Sequence, residues 1–336
     1  MITERTTTIQ TMPIRAGVIG VGAMGENHAR VYSELPNTDL VGVFDLDDDQ
    51  ASRVADTYGS DTLSIDTLLE RCEIVSVAVP TAAHVDVVST CLDAGVHVLV
   101  EKPIAETVDR GRALEEKAEE LGLVLQVGHI ERFNPAVETV SEIIHDLDVI
   151  AIEAERLGPP IDRTDPDDVI LDLMIHDVDI VDSLLDGQPN PVSATGTDDG
   201  QYATATVRYD DVIASLTASR VTQKKVRRLT VTAKECLVEV DYLQQSVLLH
   251  RDSYPEYVTD DGWRRYRHES VVERPRIENG EPLRSELESF VEVVRNGTEP
   301  EVSADDGLRA LETVGEIERL ANDSAMEENE VWQTGR

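Results

Sequence analysis

Ala16-Gly17-Val18-Ile19-Gly20-Val21-Gly22-Ala23-Met24-Gly25 joins a short β-branched run to a turn of the form GxGxxG, and a helical pattern follows to about Leu35. The first glycine permits a tight turn, the second lets the main chain approach a pyrophosphate, and the third allows close packing of helix on strand. Gly20, Gly22, Ala23, Met24 and Gly25 therefore mark a dinucleotide site in which the phosphate charge meets the helix N-terminus. Asp45 closes the next strand, Val41-Gly42-Val43-Phe44, where a carboxylate accepts hydrogen bonds from the adenosine ribose hydroxyls. The same acid, reinforced by Asp47, Asp48 and Asp49, repels a 2′-phosphate, and the nearest base is Arg53. NAD rather than NADP is the cofactor expected.

Outward from this stretch the alternation continues. Strands read at Ile74 to Val79, Val96 to Val100 and Leu123 to Val127, with helical periodicity over Ala82 to Ala94 and Thr107 to Leu121. Such alternation calls for a parallel sheet covered on both faces. Beyond residue 131 the rhythm changes. A helix starts at the Asn134 cap with Pro135 in its first turn, a strand follows at Val149 to Arg156, and a helix runs from Asp168 to Leu185. Six β-like runs between Pro191 and His250 succeed one another without helices, which implies an antiparallel sheet. Two helices close the chain, Glu281 to Arg295 and Ala304 to Ala321, and Asp252 to Gly280 carries the weakest pattern. The division expected is a loose tail over 1–12, an α/β doubly wound domain over 13–131, a second α/β domain with a large open, mainly antiparallel sheet over 132–325, and a mobile tail over 326–336.

The 336 residues include 67 acids against 30 bases, a net charge of −37 spread along the chain. That excess argues against nucleic acid and anionic membranes as partners. With only five lysines, it reads as adaptation to molar salt, where screening shortens to about 3 Å. No run has the length to span a bilayer, and Cys72, Cys91 and Cys236 form no CxxC pair. A cytoplasmic protein with free thiols is expected.

Two further clusters carry chemistry. Pro80 and Thr81 leave the fourth apolar run at the sheet edge where ligands collect and are placed near the nicotinamide; His84, in the first turn of the next helix, is either a further cofactor residue or a structural helix-start contact. Glu101-Lys102-Pro103 leaves the next strand at the same edge. A lysine fixed there can hold a substrate hydroxyl and support negative charge as an alcohol becomes a ketone. Asp172 and His176 stand about one helical turn apart, a carboxylate beside an imidazole that can accept a proton near neutral pH. Such a pair also suits zinc, but no third ligand can be nominated, so no metal is assigned.

Gly20 to Gly25, Glu101-Lys102-Pro103, Gly128-His129-Ile130-Glu131-Arg132-Phe133-Asn134-Pro135 and Asp172 through His176 together resemble the glucose-fructose oxidoreductase/inositol dehydrogenase/MocA family. The resemblance implies an N-terminal Rossmann domain, an open sheet that builds homodimers or homotetramers, and hydride transfer between a sugar or cyclitol carbinol and nicotinamide. It further implies Lys102, Asp172 and His176 as the catalytic set, with Glu101 and Lys102 beside the cofactor. The segment Gly128 to Pro135 is similar to that of UDP-N-acetylglucosamine 3-dehydrogenases, which implies a UDP-N-acetylhexosamine substrate contacted by His129, Arg132, Asn134, Arg156 and His176. A free aldose, an inositol or another polyol is the alternative substrate. A non-catalytic NAD-binding regulator is the alternative of another class. Asn134 is equally accounted for as a helix cap, and Arg156 as a strand-end charge.

Overall fold

The computed structural model describes residues 12–160, 168–253, 256–258, 264–266 and 269–334. Two compact units divide at Gly128/His129, and Leu283–Asp305 returns to the first. The N-terminal tail lies outside the described residues apart from the exposed Met12.

The first unit alternates β1 (Ile14–Ile19), α1 (Ala23–Glu34), β2 (Thr38–Phe44), α2 (Asp48–Tyr58), β3 (Asp61–Thr62), α3 (Ile65–Arg71), β4 (Ile74–Val77), α4 (His84–Asp93), β5 (His97–Glu101), α5 (Val108–Leu121) and β6 (Leu125–Gly128). Its strands pair in parallel in the order β3-β2-β1-β4-β5-β6. Helices on both faces leave the central strands no solvent side, which is why β4 is buried at every position and reads as a continuous apolar run. The order reverses at β1, whose last residue Ile19 pairs with Phe44 of β2 and Val77 of β4. Ligands of open α/β sheets bind at the strand C-termini beside such a reversal. Helix α2 is capped by the Asp47 carboxylate and α3 by the Ser64 hydroxyl, whereas α1 starts at Gly22 with no side-chain cap.

The second unit holds α6 (Pro135–Ile144), β7 (Val149–Leu157), α7 (Ile175–Leu184), β8 (Asn190–Gly196), β9 (Tyr202–Tyr209), β10 (Val212–Ser219), β11 (Val226–Ala233), β12 (Leu237–Asp241), β13 (Ser246–Ser253), the hairpin β14 (Glu256–Val258) and β15 (Arg264–Tyr266), and β16 (Glu269–Glu273). Eight strands form one sheet in the order β16-β13-β12-β11-β7-β10-β9-β8, with β7 and β10 parallel and every other neighbour antiparallel. Helices α6 and α7 cover one face, burying Ile152, Ala154, Val207, Leu216, Leu229 and Val240. The period of two sends Glu153, Thr204, Ser215 and Thr230 to the opposite face.

Two features depart from the expected division. The helix α8 (Pro282–Asn296), apart from Pro282, and the residues after it as far as Asp305 belong to the first unit, not to the domain drawn over 132–325. The Val302 carbonyl accepts the Val127 N–H at 3.2 Å, and Ser303 bridges Gln126, so this segment covers the edge of β6. An apolar stripe such as Leu283, Leu287 and Phe290 states that a helix needs a surface without stating which surface. The last helix, α9 (Ala304–Thr334), runs without a break across the boundary drawn after residue 325; its sequence there lacks Gly and Pro.

Candidate active site

The glycine turn is built as its sequence requires. Gly20 sits at φ +83°, and a Cβ there would lie 2.7 Å from the Ala78 carbonyl oxygen. A Cβ on Gly25 would fall 1.8 Å from the Gly20 oxygen, so helix and strand meet at main-chain contact. Around a Cβ on Gly22, by contrast, nothing lies within 4 Å. Gly22, Ala23 and Met24 are exposed, and the open helix start behind them suits a diphosphate. The Asp45 carboxylate braces this loop, accepting the Val21 N–H at 2.7 Å and the Asp47 N–H at 3.0 Å. Arg53 donates two bonds to Glu26, at 2.9 and 2.7 Å, so the nearest base to Asp45 is already engaged. These residues fit a dinucleotide at the C-terminal edge of β1 and β2.

Lys102 follows β5 at the same edge and is half-buried between two anchored neighbours. On one side, Glu101 accepts from Nε2 of His28, a fully buried residue of α1, at 2.9 Å. Burial pushes the Glu101 carboxyl upward, but the His28 bond and the charges of His28, Lys102 and His84 outweigh it and hold the carboxyl below its ordinary range. On the other side, the Pro103 carbonyl oxygen lies 2.8 Å from Nδ1 of His84, whose Nε2 lies 2.9 Å from the Val79 carbonyl oxygen. His84 is 1% exposed with both nitrogens on main-chain oxygens, an arrangement that matches the structural contact its sequence position offered beside a cofactor role. Pro80 is exposed and Thr81 half-buried at the start of the short turn before α4.

In the second unit Asp172 and His176 lie on consecutive turns, but not of one regular α-helix. Residues Ile170–Met174 form a π-helical stretch, and His176 follows in α7. π-bulges of this kind occur frequently at functional sites. The Asp172 carboxylate forms an ion pair with Arg220, a residue 3% exposed at the end of β10 that sequence reading passed over.

Helix α7 is buried nearly all round, so the acids within it need partners, and two of the arginines nominated for substrate supply them. Arg156 donates to Asp177 at 2.8 and 2.9 Å and to Glu131 at 2.7 Å, with its guanidinium 5.8 Å from the Tyr242 ring centre. Burial works against the Arg156 charge, yet the two carboxylates overcome it and hold the guanidinium more firmly protonated than usual. Arg132 donates two 2.9 Å bonds to Asp179. Asn134 caps α6, accepting the Ala136 N–H at 3.1 Å and donating to the Tyr242 carbonyl oxygen, and His129 is 1% exposed. Of the residues nominated for substrate, Arg132 is thus held by Asp179, Asn134 by the α6 cap, and Arg156 by Asp177 and Glu131. The signal available in the sequence was three aspartates, 177, 179 and 182, inside an otherwise apolar helix.

Asp182 accepts from the Tyr209 hydroxyl at 2.5 Å while its other oxygen is buried without a hydrogen-bond partner among the described residues. Burial pushes its pKa up to about 7, against the Tyr209 bond. The folded chain therefore holds a proton that the unfolded chain loses near pH 4, and the residue's contribution to stability falls as pH rises toward 7. Asp182→Asn should remove this loss, so its melting temperature relative to the parent should climb between pH 4 and pH 7. A difference that stays constant with pH would refute the assignment.

Residues 14–129 match the model of the oxidoreductase family with an NAD-binding Rossmann fold, and residues 153–238 match the Gfo/Idh/MocA C-terminal domain. The chain belongs to the Gfo/Idh/MocA family of oxidoreductases. It is 36% identical to the UDP-N-acetylglucosamine 3-dehydrogenase of Acidithiobacillus ferrooxidans, over 71% of this chain and 77% of the relative. A solved structure of the enzyme of that name from the same organism superposes with a TM-score of 0.83 at 31% identity, covering 93% of this chain and 98% of the other. An inositol 2-dehydrogenase of Rhizobium meliloti is 28% identical over 89% of this chain and 94% of its own length. Among the described residues no helix is long and apolar enough to cross a membrane.

Proposed function

We propose that the protein is an NAD-dependent dehydrogenase that oxidises the C3 carbinol of a UDP-N-acetylhexosamine. The observation carrying this reading is the 36% identity to a UDP-N-acetylglucosamine 3-dehydrogenase across most of both chains. A bound nicotinamide supplies the hydride acceptor. His176 takes the hydroxyl proton, Lys102 holds the oxygen and supports its charge, and Asp172, anchored by Arg220, orients the base. An inositol or free aldose is the second reading, favoured by the longer but weaker match to an inositol dehydrogenase. The open face of the eight-stranded sheet is proposed to build a homodimer or homotetramer.

The deciding experiment is NADH formation in concentrated KCl across a panel of UDP-N-acetylglucosamine, UDP-N-acetylgalactosamine, myo-inositol, glucose and xylose. A UDP-sugar is expected to give the highest kcat/KM. Preference for myo-inositol or a free sugar would select the second reading, and tight NAD binding with no turnover on any of them would indicate a regulator.

Cofactor choice is tested at Asp45. A hydrogen bond to a charged group contributes about 1.5–3 kcal/mol, so Asp45→Ala should raise KM for NAD about tenfold or more and narrow the gap to NADP. An unchanged NAD to NADP ratio would assign Asp45 to bracing Val21 alone.

A further inference from the structure

The two ring nitrogens of His84 face two groups that can only accept. Carbonyl oxygens of Pro103 and Val79 lie 2.8 and 2.9 Å away, and a neutral imidazole has one N–H to offer. One contact would then set a ring lone pair against a carbonyl lone pair, whereas the imidazolium satisfies both.

The two carbonyls belong to segments with separate tasks. Val79 opens the Val79–Pro80–Thr81 loop after β4, and Pro103 follows Lys102 after β5. We propose that His84 is a positioning residue which, as the doubly protonated imidazolium, ties the loop proposed to flank the nicotinamide to the strand end carrying Lys102. His28 performs the matching task through Glu101, so Lys102 is flanked on each side by a residue that a buried histidine holds.

The Glu101 carboxylate favours the His84 charge; on its own helix Asp86 is exposed and lies 3.8 Å from Arg110 of α5. The Val79–Thr81 loop contributes no titratable group. Burial draws the His84 pKa down, the main-chain groups of Pro103, Val79 and Ile104 and the Glu101 charge draw it up, and the net direction is down. The clamp is therefore complete on the acid side and loses one of its bonds as pH rises through that value.

This inference rests on the role proposed for Lys102, and its test separates the two. Nitrogen-15 NMR of the intact protein, titrated in pH, reads the His84 ring directly: both nitrogens should carry protons on the acid side of one titration step. In kinetics, His84→Asn, which keeps one donor direction, and His84→Ala should lower kcat by about 10- to 100-fold, the scale of a displaced catalytic group. KM for the sugar should move far less. The kcat profile of the parent should contain a step at the His84 titration that is missing from His84→Asn. A ring holding a single proton throughout the pH range of the folded state, or superimposable profiles, would overturn the clamp. If Lys102→Met keeps normal turnover, the role of Lys102 fails, and the NMR titration still decides the state of His84.

Discussion

Lys102→Met is expected to reduce kcat by about 10²- to 10⁴-fold while leaving the Kd for NAD within a few-fold of the parent, because proton-transfer and charge-stabilising groups act on the reacting oxygen. Methionine retains much of the length and apolar volume of the lysine stem, so the anchors on Glu101 and Pro103 are preserved and the loss reports on the ammonium group. Stopped-flow or steady-state NADH absorbance gives kcat, and fluorescence titration gives the NAD affinity. Loss of NAD binding in parallel with turnover would move Lys102 from chemistry to cofactor retention. Turnover near that of the parent would remove it from the mechanism.

Arg156→Ala is expected to cost about 3–5 kcal/mol of stability, because it leaves two carboxylates, Asp177 and Glu131, without their shared cation in a buried site. Thermal or urea unfolding at neutral pH measures it. The double change Arg156→Met with Asp177→Leu should be milder than the single one, since it removes both members of the buried pair. The same variant discriminates between two roles: an arginine serving a substrate diphosphate would raise KM and leave the unfolding midpoint in place. A stable Arg156→Ala with weakened substrate binding would restore the reading drawn from the sequence.

What the sequence made legible follows the range of the interactions. The glycine turn was readable because its requirements are local: a positive φ at Gly20 and a close approach at Gly25. The parallel and mainly antiparallel sheets followed from apolar periodicity. The ion pairs of Arg132 and Arg156 were not readable, because an arginine's partner far along the chain leaves no local mark until both ends are placed. The π-helical stretch at Ile170–Met174 left no mark in the residue pattern, so the spacing of Asp172 and His176 predicted a regular turn that the backbone does not make. His28 and Arg220 escaped notice for a related reason: each meets a nominated site residue, Glu101 or Asp172, from another element of the fold.

The return of Leu283–Asp305 to the first unit has a consequence for biosynthesis. The ribosome releases the dinucleotide-binding strands first, yet the partner of the Val127 N–H emerges only with Val302. At about 5–20 residues per second, that interval is on the order of ten seconds or more. During it the edge of β6 is open to mispairing, and translation rate or a chaperone can influence yield. Expression of residues 1–131 alone would make that delay permanent, so a soluble cofactor-binding fragment should require the later segment supplied in trans or fused in place.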